Sequence, residues 1–376
     1  MQRNFDEILA KVNPWQLSVA VIDLDNVAYN YKKVQEESSH NVIVSAVVKG
    51  DSYGLGAVPI SRKLYSEGCR YYFVATIDEG LAIRKALPKE DVKVFILSGP
   101  LAGTEEMFTN YNLTPVLNNK FQADVMIAEA KKQNKKLDVV IHVDTGMCRN
   151  GYVEISQDEI KSVEENLNLL FVMSHLACAD DVENDLNKKQ LLRFIETLKK
   201  FDNPIACLSA TNGVFLGNDF QFDIVRPGKA LYGFAIREDK RNVVKPVVNL
   251  FSRIVQVNHI KKGDTVGYGA TFVADREMTT VTIGMGYSDG FMRKFSGLGF
   301  GFLGDHKMPM IGRISMDYIT FDATGVDEKF LKIGNWVALT RTPDYTLESW
   351  ALDLNTIPHE ISCRLGNRVQ RIYVGE

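Results

Sequence analysis

Short apolar runs alternate with helix-periodic stretches through the first two thirds of the chain. The runs lie near 42–48 (VIVSAVV), 71–75, 92–97, 113–116, 137–143, 169–174, 204–209 and 222–225. Stretches with a helical spacing of apolar positions separate them, at 76–86, 119–135, 154–166 and 185–201. Continuous apolar runs suit strands covered on both faces. Strand followed by helix, repeated, predicts parallel pairing, because parallel strands need a crossover. Eight runs in succession predict a closed (β/α)8 barrel of the TIM type. The run at 113–116 is short and contains Pro115, which suits a central strand poorly.

Past about residue 236 the pattern changes. The charged stretch REDKRNVVKP ends in Pro246, and the segments after it are short, Gly-punctuated and β-like. Alternating positions in SRIVQVNHI and DYITFD suit half-buried antiparallel strands. The expected division is a barrel domain at 1–239 and a mostly β domain at 240–376. A spare strand, LSVAVID at 17–23, precedes the first helical stretch at 25–37.

Composition narrows the class of function. The chain has 376 residues, 45% hydrophobic and 24% charged, with a formal net charge of −3. Nothing in that balance points to nucleic acid or an anionic membrane as a partner. No apolar stretch is long enough to cross a bilayer. The opening MQRNFDEILAKVNPW lacks the apolar core of a signal peptide. Five scattered cysteines form no CxxC pair, which predicts reduced thiols in a cytoplasmic protein and no zinc site.

Ligands of a parallel barrel bind at the carboxyl ends of its strands. The first barrel strand ends on Lys49, within a turn rich in Gly that also carries Tyr53. The fifth leads to Arg149 and the sixth to Ser174-His175. The seventh leads to Thr211-Asn212-Gly213, and the eighth to Arg226-Pro227-Gly228. Each alone reads more readily as a solvated loop residue or a core hydrogen bond. Together they predict one polar rim. A partly buried lysine there can serve as a carbonyl-reactive nucleophile, because burial lowers its pKa.

The segments AVVKGDSYGLG, HVDTGMCRNGY, MSHLACAD, VRPGKALYG, GYGATF, MGYSDG and GRISMDYITFD resemble, in order and spacing, those of the alanine racemases. That resemblance implies a pyridoxal 5′-phosphate enzyme acting on a small amino acid as a homodimer. It implies that Lys49 carries the cofactor covalently and that Tyr53 contacts its phosphate. It implies that Arg149 holds the substrate carboxylate, His175 stacks near the ring, and Arg226 pairs with the pyridine nitrogen. Asn212, Gly213 and Gly228 would lie at the phosphate, where backbone N–H groups suit the anion. Two bases would work on opposite faces of the substrate: Lys49, and Tyr268 from the partner subunit. Met316 would reach the substrate through its backbone amide from the same side. The family implication for the first strand is that it joins the β domain.

Six positions depart from the family pattern, two of them mildly: Gly50 stands where the family has alanine and Leu55 where it has histidine. His142 stands where many members have a CO₂-modified lysine beside the carboxylate-binding arginine. Gly213 replaces a phosphate-binding serine, Asn367 a phosphate-binding tyrosine, and Lys229 an apolar residue. The leading expectation is interconversion of L- and D-alanine for peptidoglycan. A serine or broad-specificity racemase is the alternative within the fold. A related decarboxylase and a non-catalytic pyridoxal-phosphate carrier are the others, and such carriers lack a β domain.

Overall fold

The computed structural model describes residues 5–236 and 243–375. Two compact units emerge: Asp25–Lys245, and Met1–Leu24 together with Pro246–Glu376. The boundary expected between 239 and 240 lies outside the described residues.

The first unit is the barrel. Seven strands pair in parallel and in chain order: Ala46–Val47, Tyr71–Val74, Lys93–Ile96, Thr114–Leu117, Asp138–His142, Asn168–Met173 and Ala206–Cys207. Ile224–Val225 pairs in parallel with Ile43–Val44. On its other side Asp223 N donates to Ala206 O and Arg226 N to Ser209 O. Val47 N then donates to Pro227 O at 2.9 Å, so backbone bonds run round the whole circle and no edge is left open. Pro115 falls inside the fourth strand, opposite Ile96.

The barrel is filled rather than hollow. Val47, Phe73, Phe95, Val116, Val140, Phe171, Met173, Cys207 and Ile224 form one buried cluster. Phe73 stacks on Phe95 at 4.6 Å, and Phe95 meets Phe171 edge-on at 5.2 Å. This apolar plug sits beneath the strand ends and supports whatever binds above it. Helix starts are set by local chemistry. Thr76, Asn119, Ser156 and Asn184 accept from backbone N–H groups as N-caps, satisfying donors the helix cannot.

The second unit is built on an eight-stranded sheet. Ser18–Asp23 lies between Val248–Ile260, which it pairs antiparallel, and Gln370–Val374, which it pairs in parallel. All six of its residues are buried. The long strand Val248–Ile260 also pairs with Trp336–Ala338 and Met278–Ile283. Trp350 packs against Phe291 and Phe295 as a separate aromatic core. All five cysteines are free, and among the described residues no helix is long and apolar enough to cross a membrane.

Candidate active site

Lys49 begins a turn of unusual hand. Gly50, Asp51, Ser52 and Tyr53 take φ values of 62, 52, 53 and 58°, a full turn of left-handed helix. Only Gly50 adopts that conformation without cost. The other three store on the order of 3–6 kcal/mol between them. Such strain persists only where the surroundings over-determine it, and here they do. Ser52 N donates to Val48 O at 2.9 Å, and Gly56 N to Asp51 O at 2.8 Å. Asp51 Oδ1 accepts from Ala57 N at 2.7 Å. Glu79 accepts from Gly50 N and from Ala75 N, each at 2.7 Å.

The turn delivers Tyr53 to the eighth strand end. Its ring lies 4.7 Å from that of Tyr232, whose hydroxyl donates to Val47 O. A Cβ on Gly228 would collide with the Tyr53 hydroxyl, so glycine is needed for that close approach. Thr211 Oγ1 accepts from Gly228 N at 2.9 Å, tying the seventh and eighth strand ends together. Across this gap Asn212 keeps a buried amide oxygen without a partner. The phenol and the backbone N–H groups of the glycine turns are the donor types a phosphate site needs; the Asn212 oxygen, an acceptor, is not.

Arg226 is 3% exposed and is held by neutral acceptors. It donates to Cys207 O, Ser174 O, Leu208 O and Cys207 Sγ. It also donates to His175 Nδ1 at 3.2 Å. Arginine cannot give up its proton, so the His175 proton sits on Nε2. Burial first, then the charges of Arg226 and Arg149, hold the His175 imidazole well below its ordinary pKa. Lys49, Arg149, His175 and Arg226 each follow the carboxyl end of a barrel strand, so they share one rim.

Arg149 is carried by a loop that side chains from outside the strands pin. Asp144 Oδ1 accepts from Gly146 N and Met147 N. Arg193 donates to Thr145 O, and Gln190 bridges Thr145 Oγ1 and His175 O. His142, just before the loop, is neutral. Burial first, then the charge of Arg226, pushes its pKa down to about 3, with Arg149 adding to the effect and Asp144 opposing it. Its Nδ1 lies 2.8 Å from Asn118 Oδ1. The Asn118 amide nitrogen is occupied by Leu97 O, Val116 O and Gln122 Oε1, so the His142 proton is on Nδ1.

The other departures also find places. A Cβ on Gly213 would strike Ser209 Oγ, a hydroxyl already donating to Phe220 O. A serine at 213 would need Ser209 to move. Lys229 Nζ donates to Ile236 O at 3.1 Å, capping its own chain segment. Asn367 is exposed in the other unit.

Tyr268 and Met316 also stand in the other unit. Tyr268 opens the short helical turn Tyr268–Ala270, between the hairpin strands Thr265–Val266 and Phe272–Val273, and is 72% exposed. Met316 is 51% exposed. Glu79, Ser209, Gln190 and Asn118 are supporting residues that sequence reading missed. A T-x-x-E capping pattern at Thr76–Glu79 signals a carboxylate on backbone but says nothing of Gly50.

The family description "Alanine racemase, N-terminal domain" matches residues 22–235, and "Alanine racemase, C-terminal domain" matches 247–373. The chain is 39% identical over 375 residues to the alanine racemase of Brucella abortus (strain 2308), covering 95% of this chain and 93% of the relative. It is 37% identical over 361 residues to that of Rhodospirillum rubrum, covering 95% and 96%. Among solved structures it matches alanine racemase from Bartonella henselae with covalently bound pyridoxal phosphate. That match has a TM-score of 0.87 and 36% identity, and covers 95% of this chain and 99% of that one. The alanine racemase of Streptomyces coelicolor A3(2) gives a TM-score of 0.90 at 28% identity over 96% and 99%.

Proposed function

The chain belongs to the alanine racemase family, and we propose that it interconverts L- and D-alanine by two-base proton transfer, supplying D-alanine for peptidoglycan from the cytoplasm. It is an isomerase and its cofactor is pyridoxal 5′-phosphate. The observation that supports the reading is that Lys49, Arg149, His175 and Arg226 all follow carboxyl ends of strands of one barrel, with Arg226 donating to His175 Nδ1 at 3.2 Å.

The residues present fit that cofactor. Tyr53, Gly228, Gly213 and the Asn212 backbone would take the phosphate, and Lys49 the carbonyl carbon. Arg226 would donate to the pyridine nitrogen and, holding its own proton, keep that nitrogen unprotonated. Bound there, pyridoxal phosphate supplies an electron sink that acidifies the substrate α-carbon hydrogen. Arg149 would bind the substrate carboxylate, fixing which face of the α-carbon meets Lys49. Lys49 Nζ would take or return the proton on that face. The partner subunit's Tyr268 would serve the other. A phenol titrates near 10 and needs help to act as a base near neutrality. His175, with its proton on Nε2, is suited to donate a hydrogen bond to that phenolate. Met316 of the partner subunit would contact the substrate through its amide. The C-terminal domain match favours a racemase over a non-catalytic carrier.

Chiral product analysis tests the reading. Purified protein with pyridoxal phosphate is incubated separately with L-alanine, L-serine, L-lysine and L-arginine. Dominant D-alanine formation is the expected result. Turnover spread over the larger side chains would make it a broad racemase. No D-isomer from any of them would overturn the assignment.

A further inference from the structure

We propose that Glu79 is the positioning residue that sets the orientation of Lys49. Glu79 touches none of the groups assigned above to cofactor or substrate. Its carboxylate is spent entirely on main chain from two separate segments: Oε1 takes Gly50 N and Oε2 takes Ala75 N, both at 2.7 Å. Gly50 follows Lys49 directly and is the first residue of the left-handed turn. Ala75 follows the second barrel strand, Tyr71–Val74. The last ladder bond between these two strand ends runs from Val48 N to Phe73 O at 2.9 Å. The carboxylate therefore continues the ladder by one rung, past the point where the backbones part.

The first N–H of a helical turn has no partner within the turn, and an unmet donor there would let the turn relax. An ionised carboxylate accepts two N–H bonds more strongly than any neutral side chain. The helix Ile77–Ala86, with Glu79 in its first turn, favours that negative charge. Glu79 thus holds Gly50, and Gly50 aims the Cα–Cβ bond of Lys49. The proposal rests on Lys49 being the reacting amine; the clamp itself does not.

The test uses the holoenzymes of the wild type, Glu79→Ala and Glu79→Gln. Three quantities are read: amide hydrogen exchange at Gly50 and Ala75, the visible absorbance of bound pyridoxal phosphate, and kcat and KM for L-alanine. In Glu79→Ala, exchange at Gly50 should rise at least about tenfold. The absorbance maximum should shift, and kcat should fall roughly 10- to 100-fold with KM changed less than about threefold. Glu79→Gln keeps one accepting oxygen and should fall between. If Glu79→Ala does not fold, Glu79→Gln carries the same test. Unchanged Gly50 exchange, or kcat within about twofold of wild type, overturns the proposal. A merely structural role would lower the thermal midpoint without splitting kcat from KM. If the wild type fails to racemise alanine while both variants loosen Gly50 and shift the absorbance, the clamp stands and the functional reading fails.

Discussion

At the scale of single residues, two histidines at the strand ends are held neutral by burial and by the charge of Arg226. His142 shows the cost. Its imidazole ordinarily titrates at 6.5 but is held down to about 3 in the fold. The unfolded chain therefore binds a proton between those values while the folded chain does not. Stability is full above about pH 6.5 and drains away as pH falls towards 3, by up to roughly 5 kcal/mol. His142→Asn should flatten this slope, and urea unfolding midpoints at pH 7 and pH 4 measure it. Arg226 carries a chemical consequence instead. Replacing it with Glu puts a proton-exchanging group where a permanent cation stood. Arg226→Glu should lower racemisation and open transamination, read as pyruvate released from alanine. Absence of pyruvate would refute the view that this arginine keeps the pyridine nitrogen unprotonated. Gly228→Ala drives a methyl into the Tyr53 hydroxyl. It should weaken pyridoxal phosphate at least about tenfold, or 1.4 kcal/mol, by absorbance titration.

At the scale of elements, the barrel strands were legible because burial on both faces leaves a continuous apolar run. Even the run holding Pro115 is a strand, one residue further on than its pattern suggests. The strand ends were legible as a rim because topology puts them on one side. The lysine turn was not. GDSY reads as a loop with one permissive glycine, yet Asp51, Ser52 and Tyr53 are all left-handed. Local preference argues against that conformation, and tertiary bonds from Glu79, 29 residues away from Gly50, override it. Nor does spacing reveal Asn118 beneath His142, since the two meet only when neighbouring strands pair. The strain makes a prediction of its own. Ser52 is left-handed, and its buried hydroxyl has no partner. Ser52→Gly removes both penalties, offset in part by the freedom glycine restores to the unfolded chain. The thermal midpoint should rise by about 2–4 °C. Calorimetry that showed a fall would mean that Ser52 packs better than its lone hydroxyl implies.

At the scale of the whole molecule, the proposed two-base reading raises the question of which chain would supply the second base. Tyr268 is 72% exposed, and a large exposed aromatic at the tip of a hairpin is suited to reach into a second copy. Sequence reading took its role from the family resemblance alone, because within its own unit it is only a tyrosine in a Gly-rich turn. Mixed dimers separate the possibilities. Lys49→Ala and Tyr268→Ala proteins should each be inactive as homodimers. In a dimer of one of each, one site receives the intact Lys49 of one subunit and the intact Tyr268 of the other, while the second site lacks both. Random reassortment of equal amounts makes half the dimers mixed, each with one working site of two. Activity should therefore recover to about a quarter of the wild-type value per dimer, as a closed two-fold assembly requires. If each Tyr268 served its own chain, every site in the mixed dimer would lack one base, and reassortment would restore nothing. The same experiment run with Tyr268→Phe in place of Tyr268→Ala keeps the ring and its packing. Recovery with both variants would therefore assign the effect to the hydroxyl and to its travel across the subunit boundary.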